Sequence, residues 1–242
     1  MKKKYFMFDL YGTLLDIRTD EQSLKPFLTL ADQFRAEGAD TSGPEVRILY
    51  HEILSALSPA TGDAWESYPE MDIVPVFEAL RQAVGLSPAR DLAMESALLF
   101  RQASTSLLAL YPDVKEVLEA LRESGARIIL LSNAQALYTR YELEKTGLDT
   151  LLDEVYLSSD YGIRKPDRRY FLKALNGRNP EEFVMTGNDM KNDILPAEKL
   201  GMETVYIAAP ISPADDNPKG QTVYASDAWQ KAGEHLLRLQ KA

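Results

Sequence analysis

The chain has 242 residues, 45% of them apolar and 26% charged, which is ordinary for a globular protein and long enough for a core domain with a smaller insert. Its 37 acidic residues against 27 basic ones leave a formal charge of −10, opposing sequence-independent binding to nucleic acid or anionic membrane, both of which require basic surface. The absence of cysteine excludes disulfides and thiolate metal sites, and a chain whose only histidines are His51 and His235 has no histidine-rich metal site either.

No apolar stretch approaches the ~18 residues of a membrane span, and the run after Lys2-Lys3-Lys4 is too short and too soon broken by Asp9 to be a secretory signal. A soluble, cytoplasmic protein is expected.

In chain order, Tyr5-Phe6-Met7-Phe8 reads as a buried strand that ends in Asp9 and a Gly12-Thr13 turn. Residues 17–105 then change character: Leu49-Ile53-Leu54-Leu57 and Val76-Phe77-Leu80-Val84 recur at helical spacing, punctuated by Ser58-Pro59-Ala60-Thr61-Gly62-Asp63 and Ser87-Pro88. This segment is expected to form a helical cap, leaving residues 1–16 and 106–242 as the core. Within that core Val114, Val117, Leu118 and Leu121 make one helical stripe that Gly125 ends. Strands are expected at Arg127–Leu131, Val155–Leu157, Phe183–Thr186 and Thr204–Ile207, with helices between them, including Gln135 to Thr146 closed by Gly147. Such alternation predicts an α/β fold with a doubly wound, Rossmann-like parallel sheet. Residues 215–220 read as a turn and Trp229–Leu239 as a closing amphipathic helix.

Polar residues stand where the predicted strands end: Asp9, Tyr11 and Thr13 after the first, Ser132-Asn133 after the second, Asn188, Asp189 and Asp193 after Phe183–Thr186. Arg164-Lys165-Pro166-Asp167 opens a helix between them. Strand ends of an open parallel sheet converge on one crevice. There a carboxylate at Asp9 can attack phosphorus or carbon and form an ester, dividing one displacement into two. Thr13 and Ser132 offer hydroxyls, and turn N–H groups can cradle an anion. Three carboxylates, Asp9, Asp189 and Asp193, would repel one another without a cation, and magnesium takes such hard oxygens. The competing reading is a helix capped by Asp189 with Asp193 in its first turn.

Taken in order, these segments resemble the four motifs of the haloacid dehalogenase (HAD) superfamily, across residues 1 to about 208 apart from the cap. The resemblance implies a hydrolase with Asp9 as covalent nucleophile and Tyr11, Thr13, Ser132, Asn133 and Lys165 as its catalytic companions. It also implies Mg²⁺ held among Asp9, Tyr11, Asn188, Asp189 and Asp193, and a small phosphorylated substrate. Two departures matter. Most phosphatases of the superfamily carry an aspartate, their general acid and base, where this chain has Tyr11, and Gly187-Asn188 replaces their Gly-Asp. Asp-x-Tyr-Gly-Thr is similar to the metal-independent 2-haloacid dehalogenases, yet the tyrosine those enzymes place six residues after the lysine is Phe171 here, with Tyr170 one position early. The expectation is phosphate-ester hydrolysis, with dehalogenation, or a phosphate-binding or protein-interaction module of little turnover, as alternatives. Tyr50, Trp65, Tyr68, Phe77, Arg47 and His51 are the cap residues considered for the substrate side, most of them expected in the cap core.

Overall fold

A computed structural model describes residues 2–59 and 67–241; Trp65 and the Ala60–Asp63 part of the expected punctuation lie outside them. The chain runs through β1 (Tyr5–Phe8), β2 (Leu15–Thr19), α1 (Leu24–Ala36), α2 (Gly43–Leu57), α3 (Val74–Ala83), α4 (Arg90–Ser104) and β3 (Thr105–Leu110). It continues through α5 (Val114–Glu123), β4 (Arg127–Ser132), α6 (Ala136–Thr146), β5 (Glu154–Leu157), α7 (Ser158–Tyr161) and α8 (Arg168–Leu175). The last elements are β6 (Phe183–Gly187), α9 (Leu195–Lys199), β7 (Glu203–Ala208), β8 (Thr222–Ala225) and α10 (Trp229–Lys241). No helix among the described residues is long and apolar enough to cross a membrane.

Six strands form one parallel sheet in the order β5-β4-β1-β6-β7-β8. Alternation along β1 decides what covers each face. Phe6 and Phe8 join Val114, Val117, Leu118, Leu121, Trp229 and Leu236 on one side, whereas Met7 joins Tyr170, Phe171, Ala174 and Met185 on the other. The expected stripe of α5 is thus buried as anticipated, and Gly125 follows that helix at φ +86°, a left-handed conformation that glycine adopts without steric cost. The α/β sheet architecture is the predicted one. It also has a sixth strand, β8, that was not anticipated.

Helices α1 to α4 share a separate apolar cluster. In α1 the buried positions Phe27, Leu30, Ala31 and Phe34 recur at i, i+3, i+4 and i+7. Ser42 caps α2 by accepting from the Glu45 N–H, and Pro44 occupies its first turn, where no donor is needed. Between these helices and the sheet lies an antiparallel ribbon, β2 with β3, which the sequence reading did not foresee. A second fastening comes from the chain just before α3: the Tyr68 N–H donates to Asp167, the Glu70 N–H to the Gly162 carbonyl, and Gln135 exchanges bonds with Ile73 and Met71.

Candidate active site

The centre of the sheet delivers Asp9. It follows β1, is nearly buried, and its N–H donates to the Thr186 carbonyl on the neighbouring strand at 2.9 Å. Beside it the Lys165 ammonium, buried among acids, donates to Asp9 Oδ1 and to Asp193 Oδ1, each at 2.6 Å. The second oxygen of Asp193 accepts the N–H groups of Asn188 and Asp189 at 3.1 Å each. Gly187 makes this possible, because a methyl group there would collide with the Asp193 carboxylate. Burial pushes the Asp193 carboxyl above the ordinary range; Lys165 opposes that shift and Asp9 adds to it. Burial pulls the Lys165 ammonium down, and Asp193 and Asp9 more than reverse this, so it stays charged.

Asn133 holds the lysine in place: its Oδ1 accepts from the Lys165 N–H at 2.6 Å and its Nδ2 donates to the Lys165 carbonyl at 2.9 Å. The Ser132 hydroxyl, at the end of β4, is buried and has no partner. Its carbonyl accepts from the Tyr170 hydroxyl at 3.0 Å. Tyr170 therefore braces the strand end from the core, and Phe171 is likewise a core residue. Thr13 sits between Asp9 Oδ2 and Asn188 Oδ1, at 3.4 and 3.3 Å, so those two oxygens converge. Asp189 caps the helical turn Met190–Ile194, accepting from the Asn192 N–H at 2.8 Å and its side-chain amide at 2.6 Å. Asp9, Tyr11, Ser132, Asn133, Lys165, Asn188, Asp189 and Asp193 all line one cleft of about 230 Å³, completed by Asn192, Ile211 and Pro213.

Tyr11 is anchored away from proton transfer. Its hydroxyl donates to the Glu142 carboxylate and meets Thr139 Oγ1 at 2.9 Å. Burial and the Glu142 charge push the phenol well above its usual pKa, with Arg101 opposing, so it stays protonated at neutral pH. Arg101 of α4 reaches down to donate to Glu142 at 2.7 Å and to Glu21 at 3.0 Å, and its guanidinium lies over the rings of Tyr11 and Tyr138 at 5.8 and 5.4 Å. The sequence reading missed Arg101, Thr139 and Glu142. The only trace of the last two is a polar pair three residues apart on one face of α6.

A second cavity, about 400 Å³, adjoins the cleft through Tyr11 and Asn133 and runs between the sheet and the α1–α4 helices; Glu21, Tyr50, Glu70, Arg101 and Tyr138 are on its wall. Of the cap residues considered, only Tyr50 lines it among those described. Phe77 is buried in the helical cluster, His51 meets the Phe27 ring at a tilt and the Tyr50 ring edge-on, Tyr68 is fixed by its backbone, and Arg47 is exposed.

The family model for haloacid dehalogenase-like hydrolases matches residues 3–201. The chain belongs to this family. Among similar HAD-like hydrolases, a glyceraldehyde 3-phosphate phosphatase of Methanopyrus kandleri is 26% identical over 192 residues, 77% of this chain and 80% of that one. The (S)-2-haloacid dehalogenase 4A of Burkholderia cepacia is 28% identical over 204 residues, 83% of this chain and 81% of that one. A crystal structure of 2-haloacid dehalogenase from Pseudomonas syringae pv. Tomato DC3000 superposes with a TM-score of 0.67 at 21% identity, covering 98% of this chain and 99% of that one; it shares the HAD fold. The chain is thus an HAD-like hydrolase, and relatives of both chemistries are similar to it.

The donor set suits a divalent cation in one way. No three His, Cys, Asp or Glu side chains among the described residues group to hold a metal. Yet Asp9 Oδ2 and the amide oxygen of Asn188 both lie within 3.4 Å of the Thr13 hydroxyl, and both residues line the one cleft; magnesium is often held by one or two carboxylates with water and substrate phosphate completing the shell. Asp9 and Asp193 exceed Lys165 by one negative charge, so a phosphate brought beside them calls for added positive charge.

Proposed function

We propose that this HAD-like hydrolase cleaves phosphate esters of a small molecule, with Asp9 as nucleophile and Mg²⁺ held by Asp9 and Asn188. The observation that carries the reading is the Lys165 bridge between Asp9 and Asp193 beside the unpartnered Ser132 hydroxyl. It joins a carboxylate to a fixed cation and a free donor, the equipment for attack on a tetrahedral anion. Bound magnesium would supply charge neutralisation at the phosphoryl oxygens.

In the first step an Asp9 oxygen forms a bond to phosphorus while the ester P–O bond breaks, its electron pair leaving with the alcohol oxygen. Lys165 and Ser132 hold the phosphoryl oxygens, and Asn133 keeps Lys165 at its station. Water then attacks phosphorus and the bond to Asp9 breaks; the proton the water loses passes to solvent, matching the one the alkoxide takes up, and phosphate departs with the carboxylate restored. Because the Tyr11 phenol is bound to Glu142 and Thr139, no side chain at that position protonates the leaving group, and esters of acidic alcohols and acyl phosphates are the better substrates. Residues 1–16 and 106–242 form the catalytic core in this reading, with 17–105 as its cap.

Dehalogenation is the second reading, favoured by Tyr11. Against it stands the adjoining cavity: a departing halide needs a waiting cation, and Arg101 is already paired with Glu142 and Glu21. Phosphate release from an aryl or acyl phosphate, dependent on Mg²⁺ and abolished by Asp9→Asn, supports the proposal. Halide release from a 2-haloacid without metal overturns it.

A further inference from the structure

The cavity beyond Tyr11 has a composition that the hydrolytic chemistry does not use. Two acids, Glu21 and Glu70, share its wall with one base, Arg101. That base is spent. Its Nε donates to Glu142 at 2.7 Å and its Nη1 to Glu21 at 3.0 Å, so this corner carries more negative than positive charge among the described residues. Glu70 is held by the Met71 N–H and the Ser158 hydroxyl, both at 3.0 Å, neither of which cancels its charge. A second anionic group entering here would meet net repulsion from these carboxylates, because the cation among the described residues of the wall is already paired with two acids.

An independent feature of the same wall calls for a ligand. The Tyr138 hydroxyl is buried and has no hydrogen-bond partner, although Tyr138 lines the cavity with Tyr50 and Glu21. Buried hydroxyls are seldom left unpaired, since an unmade bond leaves the loss of solvation uncompensated. Acidic oxygens and an unpartnered phenol together are what a protonated amine binds: carboxylates by charge and the phenol oxygen as acceptor.

We propose that this cavity receives the leaving group of the substrate, and that the group carries a protonated amine and no second anion. The inference rests on the phosphatase reading for the position of the phosphate. It separates this chain's substrate from sugar bisphosphates and from phosphorylated carboxylic acids.

The test uses two inert phosphonates of equal length, 2-aminoethylphosphonate and phosphonoacetate, titrated calorimetrically into the full chain with Mg²⁺ at pH 7. The amine is expected to bind about tenfold or more tightly. In Glu21→Gln/Glu70→Gln, checked for a native melt, that ratio falls toward one. Equal or tighter binding of phosphonoacetate, binding of neither compound, or a ratio unchanged in a folded double variant overturns the inference. Phosphate release from p-nitrophenyl phosphate in the same preparation reports on hydrolysis separately. Its absence with the amine preference intact removes the catalytic reading and leaves the amine site standing; its presence without the preference does the reverse.

Discussion

Replacing Lys165 by methionine keeps the length of the side chain and removes its charge, isolating the electrostatic role of the site. Lys165 and Asp193 are each 2% exposed at the side chain and Asp9 10%, and the ammonium is 2.6 Å from both carboxylates. Removing one member of a buried ionic set leaves the others uncompensated and costs about 3–5 kcal/mol. For a chain of this length that corresponds to a fall of roughly 6–20 °C in Tm. The loss has a distinctive pH dependence. Without the lysine, the Asp193 carboxyl, already raised by burial and by Asp9, rises further above its unfolded value. The folded state then holds a proton that the unfolded state releases, so stability is kept at low pH and lost as pH rises toward the raised value, by up to about 1.4 kcal/mol per pH unit. Urea denaturation of wild type and Lys165→Met at pH 5 and pH 8 measures both quantities. The deficit is expected to be larger at pH 8. An equal deficit at the two pH values, or one under about 1 kcal/mol, refutes the charge argument and leaves only packing.

Three further outcomes are expected. Tyr11→Phe should lower stability by about 1–2 kcal/mol, through loss of the bonds to Glu142 and Thr139, and change kcat on an aryl phosphate less than about threefold; a fall of about 10²-fold or more would show the phenol moving a proton. Gly187→Ala forces Asp193 aside and should cost about 10²-fold in kcat/KM, measured by phosphate release, because a displacement near 1 Å is enough to misplace Lys165. His235 packs near Tyr224, and its imidazole is held below the ordinary value by burial and by Arg238. Its contribution to stability is therefore present above about pH 6.5 and lost as pH falls, so Tm between pH 7.5 and 5 should fall less steeply in His235→Leu.

The parallel sheet was legible because its inner strands are short apolar runs bounded by charged or polar residues, as Tyr5–Phe8 before Asp9 and Arg127–Ser132 before Asn133 show. The ribbon was not. Leu15-Asp16-Ile17-Arg18-Thr19 does alternate, but Thr105-Ser106-Leu107-Leu108-Ala109-Leu110 follows a helix directly and has no period of two, so its partner had no visible match. At the site, residues beside strand ends could be placed together from topology and Lys165 through the family resemblance, and Asp9, Ser132, Asn133, Lys165, Asn188, Asp189 and Asp193 do share a cleft. Arg101 and Glu142 lie mid-sequence on helices, and only tertiary packing brings them within 2.7 Å. Likewise Asp189, one of three acids expected near a metal, is engaged in capping a helical turn, a local competition that composition does not resolve.

The ribbon carries one more implication. Thr19 pairs with Thr105, so the polypeptide leaves for its helical excursion and returns at neighbouring points about 5 Å apart. Such a doorway lets the excursion be lengthened, shortened or exchanged for another without redirecting β1 or the carboxylate it carries. Residues 20 to 104 can therefore change in length or packing while the strand that presents Asp9 keeps its place in the sheet.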